Sequence, residues 1–121
     1  MKNLLSALLL LISLHCFSQD TITTVQAKDY MDQLVCVKGK VASFKLASEG
    51  KNINYINIDK AYPESVFSVI ISNAYLAKLN IKIEDLQDKV IYIKGTINTY
   101  KNDPKQIPQI YNPLSIQVAK D

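Results

Sequence analysis

The sequence predicts a mainly β domain, a small five-stranded barrel with a short N-terminal helix and a second helix between the third and fourth strands. Three observations carry this. Stretches in which apolar residues recur with the period of a half-buried strand lie at Leu34–Leu46, Asn52–Asp59, Val66–Ile71, Val90–Tyr100 and Gln109–Val118. The first and fourth are long, share one pattern and carry a glycine at the same place. Between the third and fourth, Leu76, Leu79, Ile83 and Leu86 recur at helical spacing. With 121 residues, 48% hydrophobic and 21% charged, the chain has the size and composition of one globular domain. Neither a disordered tail nor a multispan membrane protein is expected.

The first eighteen residues stand apart from that domain. Lys2 is followed by an apolar run from Leu4 to Leu14, broken only by Ser6 and Ser13, and then by Cys16, Phe17 and Ser18. A positive start, an apolar centre and small residues at the end make a secretory leader, with cleavage expected between Ser18 and Gln19. An anchor fits less well, since the run covers about half of a bilayer core of about 30 Å at roughly 1.5 Å per residue. His15 directly before Cys16 is a poor lipidation signal. Residues 19–121 then form the exported domain, periplasmic or secreted. It lacks histidine, keeps one cysteine, Cys36, and has no internal disulfide. Cys36, between Val35 and Val37, reads as a small buried hydrophobe rather than a reactive thiol.

Each element has its local reason. Thr24–Gln33 is expected to be a brief helix, capped by Thr23 or Thr24, with Val25, Ala27 and Tyr30 on its packed face. Leu34–Leu46 alternates as a strand around Gly39, and an internal glycine marks a bulge or bend. Ser48–Lys51 is a turn. Asn52–Asp59 follows as a strand with Ile56 and Ile58 on one side and Tyr55 and Asn57 on the other. Tyr62-Pro63-Glu64-Ser65 turns the chain into Val66–Ile71, with Tyr62 and Phe67 expected to pack the turn inward. Asn73–Asp88 is the amphipathic helix, open to a break at Asn80-Ile81-Lys82. Lys101–Pro108 is a loop between the last two strands.

The repeated pattern aligns Leu34–Phe44 with Val90–Tyr100 position for position, Gly39 on Gly95, and an aspartate precedes each copy, Asp32 and Asp88. Two long strands kinked at the same place are what a small barrel needs, because such strands serve both halves of a curled sheet.

The order strand, strand, strand, helix, strand, strand resembles the OB-fold, a Greek-key barrel. The chain further resembles bacterial exported domains of the nucleic-acid-binding, tRNA-anticodon-like OB superfamily. Residues that carry the likeness are Ala27 and Tyr30, Cys36-Val37-Lys38-Gly39-Lys40-Val41, Tyr62-Pro63, Phe67-Ser68-Val69-Ile70-Ile71 and Gly95-Thr96-Ile97. It spans roughly residues 22–118. One departure is the insertion of Asn102–Ile107 where the family has a tight turn, which lengthens a loop beside the usual groove; another is the absence of arginine.

Reactive groups are scarce, and this excludes several chemistries. All 14 basic residues are lysine, and the expected mature chain has no histidine, so neither a His-dependent triad nor a zinc site can be built. Carboxylates at Glu84, Asp85 and Asp88 read as a solvated face bracketed by Lys82 and Lys89, and Asp59 or Glu64 alone is a weak cation ligand. No catalytic residue, metal or cofactor is expected.

The OB resemblance implies a ligand groove on strands two and three and the flanking loops, which places Lys45, Lys51, Tyr55, Asn57, Tyr100, Lys101, Lys105 and Tyr111 around it. Tyrosine rings stack bases while lysines neutralise phosphates, so single-stranded nucleic acid is one expected partner. Export and a net charge of only +3, one lower without the leader, favour the alternatives, an oligosaccharide or a protein partner.

Overall fold

Two long strands set the architecture. The computed structural model describes residues 21–99 and 103–120. Within them the repeated segments are β2 (Leu34–Lys45) and β5 (Val90–Thr99). The remaining strands are β1 (Thr21–Thr23), β3 (Ile53–Ile58), β4 (Ser68–Ser72), β6 (Pro108–Tyr111) and β7 (Ser115–Val118). One helix, α1 (Asn73–Leu79), and 3-10 turns at Ala27–Tyr30 and Ile83–Leu86 complete the described elements.

The class is mainly β as expected, but the strand count is seven rather than five. β1 forms in the polar lead and pairs in parallel with β2, Thr21 opposite Cys36 and Thr23 opposite Lys38. The single strand expected over Gln109–Val118 is cut in two. Asn112 takes a φ of 47°, and the buried Pro113, which has no N–H to give a ladder, follows it. The chain thereby passes from β6 to β7.

β2 has two sets of partners. Its first half pairs antiparallel with β5, from Leu34 opposite Thr96 to Lys40 opposite Val90. Its second half pairs with β3, from Val41 opposite Ile58 to Lys45 opposite Tyr55, with a register shift between Val41 and Ser43. β5 divides likewise, its first half against β7 and its end against β6. β3 pairs with β4 antiparallel, and β4 with β6 in parallel. The result is two sheets, β1-β2-β5-β7 and β2-β3-β4-β6-β5, that share β2 and β5.

Strands shared between two sheets must bend at the corner, and the glycines mark those places. A Cβ on Gly39 would overlap Ile58 Cγ2, and one on Gly95 would lie 2.5 Å from Ile110 Cγ2. At both positions a neighbouring strand comes so close that only a hydrogen fits. Ile56, Ile58, Phe67, Val69, Ile71, Ile91, Ile93, Ile97 and Ile110 fill the space between the sheets, all fully buried. All but Phe67, which precedes β4, occupy alternate strand positions, so the other positions face outward.

Both helical expectations are shortened. Thr24–Gln33 contracts to the 3-10 turn, which keeps Ala27 buried but leaves Val25 71% exposed. The cause is Thr24, whose Oγ1 donates to Asp59 Oδ2 at 2.6 Å and so turns its own side of the chain inward. Asn73–Asp88 does break near Asn80. Ser72 Oγ accepts from Tyr75 N–H to begin α1, and Asn80, in the left-handed region at φ 57°, ends it. Leu76 and Leu79 on α1 are half-buried, and Ile83 and Leu86 on the following turn are buried, so one apolar face persists in two pieces.

Cys36 is 3% exposed, in line with a buried small side chain. It is disulfide-bonded rather than a thiol, against the expectation of no internal disulfide. The leader and its cleavage point fall outside the described residues. Among the described residues no helix is long and apolar enough to cross a membrane.

Candidate functional site

The outward face of the β2-β3-β4-β6 sheet carries two rows of side chains across the strands. Register places Lys45 opposite Tyr55, Tyr55 opposite Ile70 and Ile70 opposite Tyr111. Tyr55 and Tyr111 are about half exposed, and Ile70 between them is half-buried. One row away, two residues along each strand, Ser43 faces Asn57, Asn57 faces Ser68, Ser68 faces Gln109 and Gln109 faces Asn98. The first row is aromatic and apolar with a lysine at its end; the second is wholly polar and uncharged. Two residues of strand separate them by about 7 Å.

At the lysine end the β2–β3 connection folds over a shallow depression of about 340 Å³ whose walls include Lys45, Lys51 and Tyr55. The connection is held by Lys51 N–H donating to Ser48 O at 2.9 Å and by Asn54 beneath it. Asn54 is 2% exposed and fully engaged. Its Oδ1 accepts from Ala47 N–H at 2.8 Å, and its Nδ2 donates to Ile71 O at 3.0 Å and to Asn73 Oδ1 at 2.8 Å. One buried amide thus ties the turn to β4 and to the start of α1.

Of the residues expected around a groove, Lys45, Lys51 and Tyr55 come together at the depression, and Tyr111 joins through the row. Asn57 is on the same face but is only 7% exposed. Its Nδ2 donates to Ser43 Oγ at 3.0 Å, and its Oδ1 accepts from Ser65 Oγ at 3.1 Å and Ser68 Oγ at 2.9 Å, so it braces the floor. Lys105 is exposed on the loop before β6. Tyr100 and Lys101 lie outside the described residues. Tyr62, expected to pack inward, is instead 80% exposed, while Phe67 fills the interior as expected. Tyr62 N–H donates to Ser43 Oγ at 3.4 Å, which sets this tyrosine beside the polar row.

Sequence patterning gave no warning of Ser43, Ser65 and Ser68. Their role depends on register across three strands, and only the alternation about Asn57 hinted at a polar row.

Asp103 organises the Lys105 loop. Its Oδ1 accepts from Lys105 N–H and its Oδ2 from Ile107 N–H, each at 2.9 Å. The Ile107 bond, then the Lys105 bond, hold its carboxyl below the ordinary aspartate value. Glu84, Asp85 and Asp88 are exposed, and among the described residues no group of three or more His, Cys, Asp or Glu is placed to hold a metal ion.

No family model matches the chain, and no curated protein does. Solved structures with the same course of chain exist. An OBody bound to hen egg-white lysozyme is similar over 88% of this chain and 99% of its own, with TM-score 0.59 and 15% identity. The likeness is to OB-fold domains. The structure of yeast Stn1 and Ten1 matches 84% of this chain and 63% of that one, with TM-score 0.57 and 15% identity. A Leishmania major Friedlin protein assigned as an aspartyl-tRNA synthetase matches 87% of this chain with TM-score 0.56 and 7% identity. The matched chain spans only 22% of the synthetase's length. Identities this low concern fold alone.

Proposed function

We propose that the chain is an exported, non-catalytic OB-fold protein that binds single-stranded nucleic acid on the outward face of β2, β3, β4 and β6. The ring of pairings β2-β3-β4-β6-β5 and back to β2 is read as the Greek-key barrel of that fold. The observation that carries the function is the row Lys45–Tyr55–Ile70–Tyr111 beside Lys51. Exposed rings supply flat surfaces for bases and the lysines supply countercharge for phosphates, which is the economy of single-strand binding. One of the similar structures, named as an aspartyl-tRNA synthetase, accords with this reading.

Fluorescence anisotropy of residues 19–121 with a mixed-sequence single-stranded oligonucleotide, titrated across salt, tests it. Binding should weaken steeply as salt rises. No binding at low salt would reject the proposal. A second reading, a protein-binding face, is favoured by the OBody held on lysozyme and by exposed Leu46 next to Tyr55. It would show as salt-tolerant binding abolished by Tyr55→Ala. Export is checked by the mass of the chain recovered outside the cytoplasm, which should begin at Gln19.

A further inference from the structure

The polar row has a fixed hydrogen-bonding sense. A hydroxyl oxygen offers one donor and two acceptor positions, and an amide oxygen two acceptor positions. Ser43 Oγ accepts twice, from Asn57 Nδ2 at 3.0 Å and from Tyr62 N–H at 3.4 Å. What remains to Ser43 is its O–H, free to donate. Asn57 Oδ1 is also filled twice, by Ser65 Oγ at 3.1 Å and Ser68 Oγ at 2.9 Å. Those two hydroxyls have spent their hydrogens inward and keep lone pairs as acceptors. Asn57, more than nine-tenths buried, fixes all three senses at once.

A phosphate carries acceptors only and gains nothing from Ser65 and Ser68. A base edge carries donors and acceptors side by side, as this row does. Tyr62 on one side and Tyr55 on the other are exposed enough to flank a base, and Lys45 and Lys51 stand where the adjoining backbone would run.

We infer that the Ser43–Asn57–Ser65–Ser68 network is a base-reading site, which gives the proposed single-strand groove a preference among bases. This inference rests on the proposed function. Ser43 and Ser68 are specificity-determining residues, and Asn57 positions them. Discrimination by such contacts amounts to about tenfold per well-made pair.

The test is anisotropy of residues 19–121 with short oligo-dT, oligo-dC and oligo-dA at one low salt concentration, for the native chain, Ser43→Ala and Ser68→Ala. Both serines are half-buried, and a far-ultraviolet circular dichroism melt of each variant verifies folding. The native chain should separate its best and worst oligonucleotide by about tenfold. Each variant should bring that ratio below about threefold while leaving the salt dependence of binding unchanged. Equal binding of all three by the native chain overturns the inference and leaves groove binding standing. So does an unchanged ratio in the variants. Absence of binding to all three overturns the proposed function, and the inference falls with it. Should one variant fail to fold, the other decides.

Discussion

Val37 and Ile93 lie directly opposite each other in the β2–β5 ladder, and they are also equivalent positions of the two copies of the repeated pattern. A local two-fold axis therefore runs between them. It carries Val35 opposite Gly95 onto Ile91 opposite Gly39, and Leu34 opposite Thr96 onto Val90 opposite Lys40. The preceding aspartates obey it too, with Asp32 at φ 64° and Asp88 at φ 66°. Asp32 N–H donates to Ile97 O, and Ile97 N–H to Gln33 O; Asp88 N–H donates to Val41 O, and Val41 N–H to Lys89 O. The repetition in sequence is a repetition of one bent strand, used twice.

That symmetry makes a paired prediction. Gly39→Ala and Gly95→Ala each drive a methyl into an isoleucine of the neighbouring strand, Ile58 and Ile110. Each should lower unfolding free energy by about 1–3 kcal/mol, the usual cost of overpacking a filled interior. Urea titrations measure it. A midpoint unchanged in either variant would show that the bend is not as tight as described.

Asn54 should matter more to stability than its small size suggests. Asn54→Ala strands the Ala47 N–H, at about 1–3 kcal/mol for a buried group left unpaired, and removes the side-chain bonds that tie the turn to Ile71 and Asn73. A thermal melt of Asn54→Ala beside Tyr111→Ala makes the comparison. Tyr111 is half exposed, and its loss should cost the smaller amount.

Salt and stacking should separate on the groove. Lys45→Gln and Lys51→Gln should each flatten the slope of log affinity against log salt by about 0.7 if each neutralises one phosphate. Tyr55→Ala should leave the slope alone and weaken binding at every salt by about 1–3 kcal/mol. Loss of slope in Tyr55→Ala would sink the assignment of roles.

The loop before β6 should respond to acid. A carboxyl held below its ordinary value contributes to order above the ordinary aspartate range, about pH 4, and loses that contribution as pH falls through its lowered value. The amide resonances of Lys105 and Ile107 should shift together in that lower range, and Asp103→Asn should abolish the titration. Midpoints at or above pH 4 would contradict it.

The mainly β class was legible because alternation of Ile and Val survives in every long strand, and the role of Gly39 and Gly95 because a repeated glycine in a strand has few other uses. β1 was not, since a three-residue strand without an apolar run gains its place from pairing with β2 alone. The helical stretch Asn73–Asp88 breaks where Asn80-Ile81-Lys82 left it open to, but the form of the break was not legible. Periodicity cannot register that Asn80 turns left-handed and starts a new turn while the apolar face continues. At the site, Lys45, Lys51 and Tyr55 could be placed from strand order, because they lie near one turn. The engagement of Asn57 could not, because its serines come from β2, β4 and the segment between β3 and β4.

The sharing of β2 and β5 between both sheets also bears on motion. Because each of these strands is paired through its first half in one sheet and through its second half in the other, opening the groove floor disturbs both sheets. Amide hydrogens of Val37, Val41, Ile93 and Ile97 should therefore exchange with solvent only through global unfolding, the slowest class. Those of the Ser48–Lys51 turn should exchange through local opening. A ligand lying across this face meets a rigid floor and a yielding rim, so adaptation to different sequences falls to the loops, and protection gained on binding should appear there first.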